Sequence, residues 1–202
     1  MATIGLDKLY YASISEDPTS GEETYAVPKP LAKAISAELS VEVAEAILYA
    51  DDGASEIVKE FKSGTLTLGV DDLGAEAAAA LTGARLDANG VLISTSEDGG
   101  APVAIGFRAA RSNGKYQYFW FYRVKFALPG TTLATKADSI TFSTPSIEGT
   151  ILRRNKPDAT GKHPWKAEVT EGATGVKAET ISSWYTQVYE PAATTSIKPT
   201  NN

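Results

Sequence analysis

The chain has 202 residues, 43% of them hydrophobic and 22% charged, which suits a single globular domain with its own core. It contains no cysteine, so disulfides and thiolate metal sites are excluded. Its 19 Lys and Arg against 25 Asp and Glu leave a net charge of −6, which argues against a surface that grips nucleic acid by its phosphates; it is explained first by solubility and is also compatible with a surface that nucleic acid slides past.

No stretch approaches the roughly 20 apolar residues of a membrane helix. Met1–Lys8 lacks a basic region followed by an apolar core, so no signal peptide is expected and folding in the cytoplasm is. The run Leu9-Tyr10-Tyr11-Ala12-Ser13-Ile14 predicts a first strand. Asp17-Pro18 and Ser20-Gly21 mark turns, and Pro28 and Pro30 delay the next strand or confine its start to an edge. From Ile35 the alternation is regular. Ile35, Ala37, Leu39, Val41 and Val43 point one way, and Ser36, Glu38, Ser40 and Glu42 the other, the pattern of a half-buried strand with one wet face.

The stretch 44–59 is less regular and is broken by Asp51-Asp52-Gly53. It reads as a hairpin-like excursion between two strands; a helix over part of 41–50 competes, because Ala and Glu are common there. Phe61 to Val70 is the return strand, with Leu66, Leu68 and Val70 on one face. Asp71-Asp72 predict a helix N-cap, Gly74 to Leu81 an Ala-rich helix and Gly83 its stop. Val91 to Ser94 reads as a short strand and 97–100 as a turn.

Asn113-Gly114, between Pro102–Ser112 and Lys115–Leu128, predicts a hairpin through a type I′ turn. On its second arm Tyr116, Tyr118, Trp120, Tyr122, Val124 and Phe126 share one face, and Phe119 and Phe121 the other. Apolar surface on both faces implies a sandwich or barrel centre, or burial against another subunit. Further strands are expected over 139–144, 147–153 (after a bulge at Pro145) and 165–170, a loop over 155–161 and a helix over 178–189. Residues 1–190 read as one domain and 191–202, small and polar, as a flexible or extended C-terminal arm. The fold class is mainly β, a mostly antiparallel sandwich or barrel with one or two short helices.

Chemistry is hard to find. His163 is the only histidine and has no evident nucleophile or orienting partner. Nucleophile-elbow, phosphate-loop and zinc-helix motifs are missing. Asp51-Asp52-Gly53, Asp71-Asp72 and Glu97-Asp98-Gly99-Gly100 lack the spacing of a calcium loop and read as turns and caps. No cofactor or metal is expected. The basic cluster Arg153, Arg154, Lys156 and Lys162 reads either as a solvated loop or as a contact with acidic loops of another subunit.

The residues also resemble those of siphophage major tail proteins, the subunits of phage tail tubes. The ordered set that carries the resemblance is Ile4-Gly5-Leu6-Asp7-Lys8-Leu9-Tyr10-Tyr11-Ala12, Leu48-Tyr49-Ala50-Asp51-Asp52-Gly53, Glu60 through Val70, Ala104-Ile105-Gly106-Phe107-Arg108, Tyr118-Phe119-Trp120 with Lys125-Phe126, and Ile147-Glu148-Gly149-Thr150 through Lys166. It spans about residues 3–190 and implies a tail-tube-like fold, a β-sandwich or barrel with a flanking helix. It also implies a homo-oligomer: hexameric rings stack into a hollow tube, assembled in the host cytoplasm, which becomes the virion tail and conducts genomic DNA without binding it specifically. Tail tip or baseplate, tape measure and tail terminator proteins are the implied partners.

On that reading Glu38, Ser40 and Glu42 face the lumen, where carboxylates repel DNA phosphates. Tyr49, Asp51, Asp52, Glu56, Arg153, Arg154 and Lys156 make inter-ring or inter-subunit contacts. The excursion 44–60 reaches the next ring and the terminal arms bridge subunits. The readings left open beside it are a carbohydrate-binding or adhesion β-sandwich, a secretion-system tube subunit and a hydrolase.

Overall fold

The computed structural model describes residues 2–50, 53–130 and 144–191, with all their side chains except those of 48–50 and 53–56. The described elements are β1 (Thr3–Glu16), β2 (Glu23–Tyr25), β3 (Lys29–Ala32), β4 (Ala34–Ala50), β5 (Gly53–Val70), α1 (Ala75–Thr82), β6 (Arg85–Leu86), β7 (Leu92–Ile93), β8 (Val103–Arg111), β9 (Tyr116–Phe126), β10 (Ser146–Leu152), β11 (Lys166–Thr170) and α2 (Ala178–Ser182). The expected strand over 139–144 falls, but for Thr144, outside the described residues, as does the expected arm beyond Pro191.

The fold is mainly antiparallel β. One sheet runs β2-β1-β8-β9-β10-β5-β4, with β3 added to β1 and β11 to β9. Only Lys33 separates β3 from β4. The stretch 29–50 therefore pairs with β1 at its start and with β5 beyond it, so the two ends of the sheet meet and the sheet curls into a barrel-like wall. Inside lie Leu9, Leu66, Leu68, Val70, Ile105, Phe121, Val124, Ile147 and Ile151, with Ala77 and Leu81 of α1 packed on the same core. Outside, around β1, β8 and β9, a second cluster forms from Ala12, Ala104, Tyr118, Trp120 and Tyr122, covered by Trp184 and Val188 from the C-terminal segment. Trp120 donates its indole N–H to the Trp184 carbonyl at 3.0 Å, which pins that segment in place.

The β8–β9 hairpin forms where Asn113-Gly114 predicts it, with a different turn. Only Gly114 has positive φ, at 76°. Its N–H donates to the Arg111 carbonyl at 3.0 Å, and Arg111 N–H donates to Lys115 O at 2.9 Å. This is a three-residue loop with glycine in the left-handed position rather than a type I′ turn. A second correction concerns β9. Its register with β8 passes from Val103↔Val124 to Ile105↔Phe121, so β9 carries one extra residue there. The bulge moves Val124 and Phe126 onto the face of Phe119 and Phe121, away from Tyr118, Trp120 and Tyr122.

Both helices differ from expectation at their ends. Asp71 does not cap α1: the N-cap is Gly74, with no side-chain hydrogen bond, and Gly83 ends the helix in the left-handed region. Asp71 instead accepts the backbone N–H of Lys33 at 2.9 Å and of Asp72 at 2.8 Å, tying the end of β5 to the start of β4. The helix expected over 178–189 stops at Ser182. Ser182 and Ser183 turn their hydroxyls onto the Glu179 carbonyl, at 3.0 and 2.8 Å, and the backbone continues in turns. Among the described residues no helix is long and apolar enough to cross a membrane.

Candidate assembly surface

The longest feature of the molecule is the β4–β5 ladder, continuous from Ala34↔Val70 to Ala50↔Gly53. The described residues of the excursion, 44–50 and 53–59, are thus extended, and a helix over part of 41–50 is overturned. β10 pairs with β5 only between Gly64 and Gly69. Beyond Gly64 the two strands have only each other among the described residues, a ribbon of about 30 Å at roughly 3.3 Å per residue. A lone two-stranded ribbon is marginally stable in water, and a bare edge strand invites pairing with another chain.

The side chains sharpen this. Directly paired residues share a face, so Ala37, Leu39, Val41, Val43, Glu45 and Ile47 lie with Leu68, Leu66, Gly64, Phe61, Lys59 and Ile57. Leu66 and Leu68 are fully buried, whereas Leu39, Val41, Val43, Ile47 and Ile57 are exposed; Val43 retains 53% and Ile57 54% of its surface. The strand from Ile35 is therefore not half-buried within the chain. Its apolar face continues past the core into solvent. Phe61 is the exception, stacked on Trp165 with ring centroids 4.4 Å apart, and it anchors the ribbon's base.

The opposite face is polar from Glu38 to Glu42, and farther out along the ribbon it carries Ala44, Ala46 and the exposed Val58. Glu38↔Thr67↔Glu148 form one cross-strand row, and Ser40↔Thr65↔Thr150↔Lys125 the next. Glu38, Ser40 and Glu42 are all exposed on it. Glu42 accepts from Lys62 Nζ at 3.3 Å and Ser63 Oγ at 3.2 Å. On the apolar face of the ribbon Lys59 meets Glu45 at 2.9 Å.

The other sequence-derived residues do not gather with these. The Tyr49 and Glu56 side chains, and Asp51 and Asp52 altogether, lie outside the description. Arg153 is exposed, but Arg154 retains only 1% of its surface and is no surface contact. It donates to Glu190 at 2.9 Å and lies over the Tyr122 ring, clamping the C-terminal segment to the loop after β10. Lys156 is shared between Glu22 and Glu190, at 3.2 and 3.7 Å. Beside it the fully buried Glu23 takes hydrogen bonds from Arg123 and from the Asn155 N–H. Arg123 also reaches Glu16, and that hydrogen bond is the main reason the Glu16 carboxyl sits below the usual range. Two of the four basic-cluster side chains thus serve an internal clamp. The His163 ring lies 3.0 Å from the Arg154 carbonyl, its one side-chain hydrogen-bond partner among the described residues.

No protein-family model matches the chain, and no curated protein does. The sequence reading missed the apolar stripe on β5 because Lys62 is an extra residue against Glu42↔Ser63 and Val43↔Phe61. The apolar positions consequently change parity, from 66 and 68 to 57 and 61. That change across Lys62-Ser63-Gly64 was the available signal for a bulge.

Proposed function

We propose that this chain is the subunit of a phage tail tube: hexameric rings of it stack into the conduit through which DNA is delivered. The observation that carries the reading is the β4–β5 ribbon, which among the described residues is a bare-edged ladder that leaves the body with an apolar stripe uncovered on one face. Half-exposed Leu, Val and Ile side chains each leave roughly 1 kcal/mol of burial unrealised, and a neighbouring copy of the chain supplies the cover. The polar rows on the opposite face suit an aqueous lumen. Glu38, Glu42 and Glu148 there repel phosphates, while Ser40, Thr65 and Thr150 keep the wall wet and neutral. Among the described residues the acidic pairs and His163 have hydrogen bonds of ordinary turn and loop type, and the site offers assembly physics rather than bond-making.

Negative-stain microscopy and sedimentation of the concentrated full chain test this directly. Six-fold rings and tubes are expected. The double variant V41E/V43E, which places two carboxylates in the stripe, raises the concentration needed for assembly at least tenfold while leaving the fold intact. A wild-type chain that remains monomeric at millimolar concentration, or a variant that assembles like the parent, refutes the reading.

A further inference from the structure

Among the described residues β11 pairs with β9 alone, so one of its edges is bare. Two hydrogen bonds decide which backbone groups that edge presents. Tyr122 N–H donates to the Trp165 carbonyl at 3.1 Å, and Glu171 N–H to the Tyr116 carbonyl at 2.9 Å. Both continue the unshifted register that runs from Lys166↔Phe121 to Thr170↔Gln117. Hydrogen-bonded pairs alternate with open ones in an antiparallel ladder, so residues 165, 167, 169 and 171 turn their backbone groups to β9, and Lys166, Glu168 and Thr170 turn theirs outward. The Thr170 carbonyl accepts from Ala173 N–H at 3.2 Å, which leaves the edge open at Lys166 and Glu168. Beside Glu168 the strand and the C-terminal segment enclose a groove of about 390 Å³. Ala167 and Val169 line it from the sheet, on the face of Trp120 and Tyr118. Trp184 and Tyr189, stacked with centroids 5.3 Å apart, line it with Thr180 and Lys177.

We propose that this edge and groove receive an extended acidic peptide of a partner protein, added to β11 as a further strand; the inference stands apart from the tube reading. A peptide residue opposite Glu168 exchanges both main-chain hydrogen bonds with it. The neighbours of that residue, opposite Ala167 and Val169, send their side chains into the groove. An apolar side chain there covers Val169 and the Trp184–Tyr189 pair, and a carboxylate on the same face reaches Lys177. Charge selects the acidic partner. Lys177 is exposed and has no carboxylate within ion-pair distance among the described residues. The carboxylates of β11 and its following turn are engaged elsewhere: Glu168 holds Lys166 at 2.7 Å, on the other face of the strand, and Glu171 accepts the Tyr116 N–H at 3.1 Å. Glu179 of α2 does not line the groove. Other edges are less receptive, since Pro30 removes a donor from β3 and β2 spans only three residues.

The probe is the peptide acetyl-Thr-Glu-Thr-Ile-Thr-Glu-Thr-amide, whose Ile and Glu side chains share one face in either chain direction. Fluorescence anisotropy of its labelled form, titrated with the full chain, is expected to show saturable binding below millimolar concentration. Binding is expected although the protein itself carries a net charge of −6, and the same peptide with Lys in place of both Glu is expected to bind about fivefold more weakly. N-methylation of the two Thr that flank Ile removes the N–H groups that would pair with Glu168 and weakens binding about tenfold. K177E, a change at an exposed side chain, weakens the acidic peptide about fivefold, and K162E, on a loop away from the groove, leaves it unchanged. Absence of saturation up to millimolar protein, or equal binding of the Lys or the N-methylated peptide, overturns the proposal. So does peptide binding that disappears in step with self-association in sedimentation, which assigns the edge to a second copy.

Discussion

Glu23 has no exposed surface, and Arg123, on β9, is its charged partner. The pair holds β2 against the centre of the sheet, and the Asn155 N–H brings in the loop after β10. Removing one partner of a buried pair strands the other charge, at about 3–5 kcal/mol. Arg123→Met is accordingly expected to lower stability by that order in urea unfolding, and R123M/E23Q to recover a large part of it. Acid acts on the same cluster. The Glu16 carboxyl is held below its ordinary 4.5, first by the Arg123 hydrogen bond and then by its charge. A depressed folded-state pKa adds stability that is complete above the unfolded value and fades as pH falls through the folded one. The Glu16→Gln variant is expected to lose less stability than the parent below about pH 4.5; equal acid unfolding curves for the two would contradict this.

At the scale of elements, close approaches decide which strands can pair. A Cβ on Gly106 of β8 would lie 2.8 Å from the Trp120 ring, whose other neighbours hold it fully buried. Gly106→Ala is expected to destabilise by about 1–3 kcal/mol through overpacking, with loss of the near-ultraviolet tryptophan signal before the far-ultraviolet sheet signal. How much of the fold the sequence disclosed varies with the element. The β8–β9 hairpin was legible because a local dipeptide sets it, and the buried face of β5 because Leu66, Leu68 and Val70 alternate. The bulges at Lys62 and at Tyr122-Arg123 were not: each is one residue, and it shows only when the partner strand supplies the register. Nor was the clamp around Arg154, whose carboxylate partner, Glu190, lies 36 residues away in the chain. Of the candidate site, the polar row Glu38, Ser40 and Glu42 was readable from period two. The uncovered apolar row opposite it was not, because alternation shows that a face is apolar but not that anything covers it.

At the scale of the whole molecule, the chain has one well-filled interior and one ladder that outruns it. On the proposed reading the ribbon gains cover from another copy, which couples folding stability to concentration, since whatever binds the native state alone stabilises it by mass action. The melting temperature of the parent is therefore expected to rise with protein concentration, by several degrees over a hundredfold range, as the stripe on Val41, Val43, Ile47 and Ile57 becomes buried. For V41E/V43E the same series is expected to be flat. The comparison separates two roles the stripe can have. If it serves only the isolated subunit, both proteins melt independently of concentration and the variant melts lower throughout. If it serves assembly, the two coincide when dilute, where each ribbon stands in water, and diverge as the solution is concentrated. Differential scanning calorimetry at fixed scan rate reads the difference, and parallel flat lines would place the stripe outside any self-contact.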